Sequence, residues 1–228
     1  MASPTSKKGR VSTIDHLRPD VEQGAVISTS EGAAYRSGIA NPAPMGLFAF
    51  ATTTFVLSLY TVQARSITVP NVVVGMAIFS GGLTQVVASM WEFPRGNAFG
   101  ATVFASYGSF WMSYGTIYIP ASGIIAAYSD PTELANTLGI YIIAWCMVTL
   151  FFLLLVIRAN AAYTLLLSSF CVALACLSAG QFTQSFMVTK AGGVFLIIGA
   201  FIAYYIAMSE LLASERRAVV RLPLGVWQ

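Results

Sequence analysis

Charged side chains are almost absent from most of this chain. From Pro42 to Leu212 there are eight Asp, Glu, Lys and Arg residues, and they fall near the ends of long apolar stretches. A helix needs about 20 mostly apolar residues to cross a hydrocarbon core of about 30 Å. Six segments meet this length, and they predict an all-α integral membrane protein: Ala43–Val62, Pro70–Trp91, Asn97–Tyr118, Leu134–Ile157, Ala162–Phe186 and Ala191–Leu212.

The basic residues lie mainly on one side of these six segments. Arg65 and Lys190 fall on one side, whereas the other side receives the basic residues of both termini together with Arg95 and Arg158. Because an excess of Lys and Arg marks cytoplasmic loops, the pattern predicts that both termini are cytoplasmic. The net charge of +3 then reflects the membrane topology, and it does not indicate a surface that binds nucleic acid.

The chain divides into three predicted parts: a disordered cytoplasmic tail over 1–40, a six-helix membrane domain over 41–213, and a short cytoplasmic tail over 214–228. The first part is rich in Ser, Thr, Gly and charge and lacks an apolar run. Its hydroxyls suit phosphorylation, although an inert tail fits equally well. Without a hydrophobic signal segment or a mitochondrial signal, the plasma membrane is the default expectation.

Several classes of chemistry lack their usual residues. No Asp, Glu, Lys, Arg or His falls near the middle of a predicted span, which disfavours a conventional carboxylate relay. There is no GxSxG, HExxH or Walker sequence, so we expect no enzyme activity and no cofactor. The three cysteines show no zinc spacing and are expected to pack as small apolar groups, so no metal site is predicted.

Some polar side chains nevertheless lie inside the spans. Thr53 and Thr54 occur in the first span and Gln85 in the second, where each either lines a watered path or bonds a neighbouring helix. Gln85 favours an interior position, because an amide facing lipid is costly. Trp91, Trp111 and Tyr118 lie near predicted helix ends and are interpreted as interfacial anchors.

The first span begins with an unusual heptad: Asn41, Pro42, Ala43, Pro44, Met45, Gly46 and Leu47. Asn41 can cap the helix, and prolines suit a first turn, whose amides have no helical partner. This pattern indicates a well-defined helix start. A carboxylate bound by free amides there is an alternative interpretation.

The heptad NPAPMGL closely resembles the NPAPLGL signature of the acetate uptake transporters, also called the succinate-acetate permease family. Residues 96–100 (GNAFG) and 106–111 (SYGSFW) are similar to two further motifs of that family. The similarity runs from residue 41 to about residue 215, and the preceding tail suggests a fungal member. Met45 replaces the family's leucine, a change that preserves volume.

This resemblance implies a fold and a site. Members carry acetate and related short carboxylates through a path inside each six-helix protomer, and characterised relatives are hexamers. Their narrowest point is a hydrophobic constriction whose positions correspond here to Phe50, Tyr107 and Phe170, the last of which replaces a leucine. The resemblance therefore predicts acetate as substrate, a lipid membrane as surroundings and a homo-hexamer, with Thr53, Thr54 and Gln85 as neutral polar groups along the path.

There are alternatives both for the mode of transport and for the function itself. Channel-like anion passage and uptake linked to a proton both fit a path without a central ionisable group. A membrane sensor of acetate or ammonium adaptation is a second function, and a scaffold-like membrane protein is a third.

Overall fold

The computed structural model describes residues 38–215 and 217–225, and most of them lie in six long helices. The predicted tail over 1–40 falls almost wholly outside this range. The helices are α1 (Ala43–Thr61), α2 (Val72–Glu92), α3 (Ala98–Ile117), α4 (Pro131–Val156), α5 (Ala161–Thr183) and α6 (Phe186–Ser214).

Three helices begin at side-chain caps. The Asn97 Oδ1 atom accepts a hydrogen bond from the Gly100 amide at 3.0 Å, and the Asp130 Oδ1 atom accepts one from the Thr132 amide at 2.8 Å. Asn160 caps α5 in the same way. Each cap satisfies an amide that has no partner within its helix, which fixes where the helix starts.

Three helix boundaries differ from the predicted ones by three residues or more. Because Asp130 caps α4, that helix starts at Pro131 instead of Leu134. The helix α5 ends at Thr183 instead of Phe186, since Gln184 adopts a left-handed conformation with φ of 51°. The helix α6 then starts at Phe186, before the predicted Ala191.

The middle of α2 is a π-helix over Ala77–Thr84. This wider winding surrounds Gly81, which packs so closely on Trp111 of α3 that an added Cβ atom would lie 2.8 Å from the Trp111 ring. Single π-helical segments are rare and concentrate at functional positions. The apolar run of this span gave no sign of it.

The helices form one bundle with a shared core. α6 packs along both α1 and α5, α4 packs along α5, and α2 packs between α1 and α3. The central core cluster includes Phe50, Tyr107, Phe152, Phe170 and Ile206, which come from five different helices.

The outer surface of the bundle is apolar. Exposed side chains include Phe79, Ile140, Leu154 and Phe201, which suit contact with lipid. Five of the six helices are long and apolar enough to cross a membrane. The remaining helix, α3, has 20 residues and contains more Ser, Gly and Tyr in total than any of the other five. The described part of the chain thus forms an all-helical bundle, and the chain is a multi-pass membrane protein.

The end of the chain docks against α5 and α6. The Ser209 hydroxyl donates to the Leu222 carbonyl at 2.6 Å, and the Ala161 amide donates to the Gly225 carbonyl at 2.9 Å. Leu224 packs against the central core cluster. The described part of the predicted 214–228 tail is therefore held on the bundle by directed bonds.

Candidate functional site

Three aromatic rings from three helices meet at the centre of the bundle. The ring centroids of Phe50 and Tyr107 are 5.6 Å apart, those of Phe50 and Phe170 are 5.2 Å apart, and those of Tyr107 and Phe170 are 5.4 Å apart. All three residues are buried. The structure thus brings together all three residues that the resemblance suggested, and we call this triad the constriction after the role that the resemblance implies for it.

The hydroxyl of Tyr107 is engaged by α4. It donates to the Thr149 Oγ1 atom at 3.1 Å, and the Thr149 hydroxyl donates in turn to the Trp145 carbonyl at 2.8 Å. Phe152 packs edge-on against the Tyr107 ring. The Tyr107 hydroxyl therefore orients its ring and is held by α4 in this conformation.

A cavity of about 130 Å³ opens on one side of the constriction and reaches Phe170. Most of its walls are apolar or aromatic, and its polar side chains are hydroxyls, an amide and an indole. None of its lining residues is Asp, Glu, Lys, Arg or His; they are Leu57, Thr61, Phe110, Trp111, Tyr114, Tyr118, Leu138, Ile142, Phe170, Leu174, Leu177, Gln181, Thr189 and Leu196. This hollow can admit a small solute as far as the aromatic rings.

The polar residues predicted along the path are buried between helices. The Thr53 hydroxyl bonds the Ala49 carbonyl at 2.9 Å, and the Gln85 amide donates to the Gly81 carbonyl. The Thr54 Oγ1 and Gln85 Oε1 atoms are buried without a hydrogen-bond partner. Since these residues are not among those lining the cavity, the structure does not join them to it.

Trp111 corrects one interpretation from the sequence. It was expected at the membrane interface, but it is only 1% exposed and its Nε1 atom is buried without a partner. The glycine at position 81 leaves room for its ring. Trp91, in contrast, is 54% exposed, as an interfacial side chain should be.

A charged cluster lies at the opposite end of the bundle from the cavity. It consists of Asn41, Glu92, Arg95, Asn97 and Glu210. Arg95 donates to the Glu92 Oε2 atom at 3.0 Å and to the Asn41 Oδ1 atom at 2.7 Å. The Asn41 amide group donates to the Glu210 Oε2 atom at 3.0 Å. These bonds tie α1 to α6 and to the connection between α2 and α3.

The heptad at the start of α1 contributes Asn41 to this cluster. The Asn41 Oδ1 atom accepts a bond from the Ala43 amide at 3.1 Å, and the Gly46 amide bonds the Pro42 carbonyl. Pro42 and Pro44 have no amide hydrogen. The Ala43 and Gly46 amides are therefore already bonded, and a carboxylate held by this turn stays a prediction. Met45 is 41% exposed.

The cluster, the constriction and the cavity follow one another along the bundle. Along α1 and the turn before it, Asn41 belongs to the cluster, Phe50 to the constriction and Leu57 to the cavity. At 1.5 Å per residue, Phe50 is about 13 Å from Asn41 and about 10 Å from Leu57. On α5, Phe170 and Gln181 follow in the same order.

The sequence matches the GPR1/FUN34/YaaH family over residues 25–224. It is 42% identical over 213 residues to ammonia transport outward protein 2 of Saccharomyces cerevisiae, covering 92% of this chain and 76% of that one. It is 35% identical over 189 residues to the succinate-acetate/proton symporter SatP of Escherichia coli, covering 82% of this chain and 96% of that one.

A solved structure has the same fold. The structure of the bacterial acetate channel SatP matches with a TM-score of 0.72 at 33% identity, covering 82% of this chain and 99% of that chain. These findings confirm the family resemblance seen in the heptad and in the two glycine-rich and aromatic motifs. The chain belongs to the GPR1/FUN34/YaaH family.

Proposed function

We propose that this protein carries acetate and related short monocarboxylates across a membrane, along a path through its own helix bundle. The observation that carries the proposal is the constriction of Phe50, Tyr107 and Phe170 at the inner limit of a neutral cavity. The fold match to an acetate channel and the names of the relatives support it. Succinate is included as a possible further substrate because of the relative's name.

The proposed membrane arrangement has six spans with both termini in the cytoplasm. α3 is the sixth span: Tyr107, Phe110 and Trp111 lie on its buried side, and the exposed Ser109 hydroxyl donates to the Ala105 carbonyl of its own helix. The bias of the basic residues supports a cytoplasmic position for the charged cluster and an external position for the cavity. We further propose the plasma membrane as its location, a homo-hexamer as its assembly, and a cytoplasmic tail before residue 41.

The constriction sets the energetic problem for such a solute. Removing water from a carboxylate costs several kcal/mol, and three aromatic rings supply no compensating charge. A short carboxylic acid has a pKa near that of glutamate, about 4.3, so the anion dominates at neutral pH. Passage requires either neutral hydrogen-bond donors that replace part of the hydration, or a proton that travels with the solute.

Flux of labelled acetate into liposomes that contain the purified protein tests the proposal. Uptake should exceed that of protein-free liposomes, and filling the cavity with Leu57→Trp should reduce it. Leu154→Trp is the matched control, because Leu154 is exposed on the outer surface. Uptake equal to that of empty liposomes overturns the proposal.

Two further measurements separate the alternatives. Acetate flux without associated charge movement in a planar bilayer would exclude simple anion conduction. A chain that lacks residues 1–40 should retain its flux if the protein is a transporter, whereas a sensor that signals through the tail should lose its output. None of the described contacts favours the sensor.

A further inference from the structure

The charged cluster contains more negative than positive charge. The guanidinium of Arg95 bonds the carboxylate of Glu92, and it attracts the partly exposed carboxylate of Glu210 through space. Glu92 is 0% exposed, and the Arg95 side chain is 4% exposed. Burying an excess charge is costly, and the usual remedy is a partner or a proton.

One carboxylate oxygen of the cluster has no hydrogen-bond partner among the described residues. The Glu92 Oε2 atom accepts from Arg95 and from the Asn97 Nδ2 atom, both at 3.0 Å. The Glu92 Oε1 atom and the Arg95 Nε atom are buried and have no partner. An ionised carboxylate oxygen accepts hydrogen bonds only, so this atom needs a proton or a donor that the described side chains do not supply.

Neighbouring elements bring four described residues to the two carboxylates. Asn41 of α1 bonds Glu210, and Asn97 at the start of α3 bonds Glu92. Tyr163 of α5 lies within electrostatic reach of both carboxylates, and it brings no positive charge. Arg95 is the cation that interacts with both of them.

We propose that Glu92 and Glu210 together form a proton-binding site at the charged end of the bundle. A proton from water on that side adds to one carboxylate oxygen and forms an O–H bond, which removes the excess negative charge of the cluster. The protonated oxygen then donates a hydrogen bond where the ionised one cannot. The shared site belongs to the pair, since the two carboxylates interact with each other.

The consequence for transport rests on the proposed function. The cluster is about 13 Å from the constriction along α1, close enough for its charge to act on a passing carboxylate. An ionised pair repels that solute, and a protonated pair does not. Protonation of the pair should therefore ease passage at this end.

Comparison of wild-type protein with Glu210→Gln isolates this effect. The amide mimics the protonated acid and can still accept the bond from Asn41. We measure labelled acetate flux with the same pH on both sides of the liposome membrane. The ionisation of acetate affects both proteins equally, so its effect cancels in the ratio of wild-type to variant flux. The ratio should be near one at acid pH and fall about tenfold at alkaline pH. A ratio that stays constant with pH overturns the proposal.

Glu133→Gln provides the matched control. Glu133 is exposed in the first turn of α4, at the other end of the bundle from the cluster, and should leave the pH profile unchanged. A pH profile altered as much by Glu133→Gln as by Glu210→Gln would also overturn the proposal.

Infrared difference spectra between acid and alkaline samples test the site without any flux. Wild-type protein and Glu133→Gln should show the carbonyl band of a buried protonated carboxyl, and Glu92→Gln and Glu210→Gln should weaken it. The same band in all four proteins would contradict the site. A lost flux with the band present would instead count against the proposed function.

Discussion

The two ends of the proposed path are built by opposite means. The cavity end is hollow, with hydroxyls, an amide and an indole among apolar walls. The charged end is filled, and its buried ionic groups are linked by bonds of 2.7 to 3.0 Å. Directed ionic bonds hold helices in one register, whereas weak neutral donors let a small anion enter and leave.

This difference shows what charge does in the bundle. At the charged end it joins segments that are far apart in the chain, as Asn41 and Glu210 are. At the cavity end a fixed cation would bind a carboxylate too long for rapid passage. The same six helices therefore use charge for assembly at one end and have no charged residue in the cavity lining at the other.

The largest expected effect comes from removing the cation of the cluster. Arg95→Leu leaves Glu92 buried without its counter-charge and should lower the free energy of unfolding by about 3–5 kcal/mol at neutral pH. Chemical unfolding in detergent measures the change. Arg158→Leu, at an exposed position near the same end, is the control. A stable Arg95→Leu protein would contradict the role of charge in assembly.

A charge placed at the cavity end should affect flux and leave stability nearly unchanged. Gln181→Glu adds a negative group to the cavity wall and should reduce acetate flux about tenfold at neutral pH by repelling the anion. Gln184→Glu is the matched change, since Gln184 is exposed and is not among the cavity-lining residues. Equal flux in the two variants would show that the solute does not pass Gln181.

A smaller effect is expected between the two ends, at neighbouring threonines of α1. Thr54 has a buried hydroxyl without a partner, so Thr54→Val should raise the free energy of unfolding by up to about 1 kcal/mol. Thr53 bonds the Ala49 carbonyl, so Thr53→Val should lower it by a similar amount or leave it unchanged. The reverse order, measured by chemical unfolding, would mean that Thr54 has a partner in the membrane.

Much of this fold can be predicted from local sequence patterns. Apolar runs located all six helices, and the cap at Asn160 and the proline turn at Pro42 are readable as helix starts. The motifs of the heptad and of residues 106–111 identified the family, and with it three residues whose rings meet in the structure.

Long-range contacts could not be predicted in this way. Asn41 and Glu210 are 169 positions apart, and nothing local indicates that they meet. Trp111 lies near a helix end, but its burial depends on Gly81 of another helix. The π-helix of α2 likewise depends on how α2 packs against another helix. Hydrophobic periodicity reports which segments are helical and says little about which faces touch.

The most direct test of the account is the size selectivity of flux through the constriction. Benzoate and acetate flux are measured in liposomes that contain wild-type protein, Phe170→Leu or Phe50→Ala. If solutes pass between these rings, both substitutions should raise benzoate flux relative to acetate flux, and Phe50→Ala should raise it more. An unchanged ratio in both variants, with wild-type acetate flux intact, would place the path elsewhere and contradict the account.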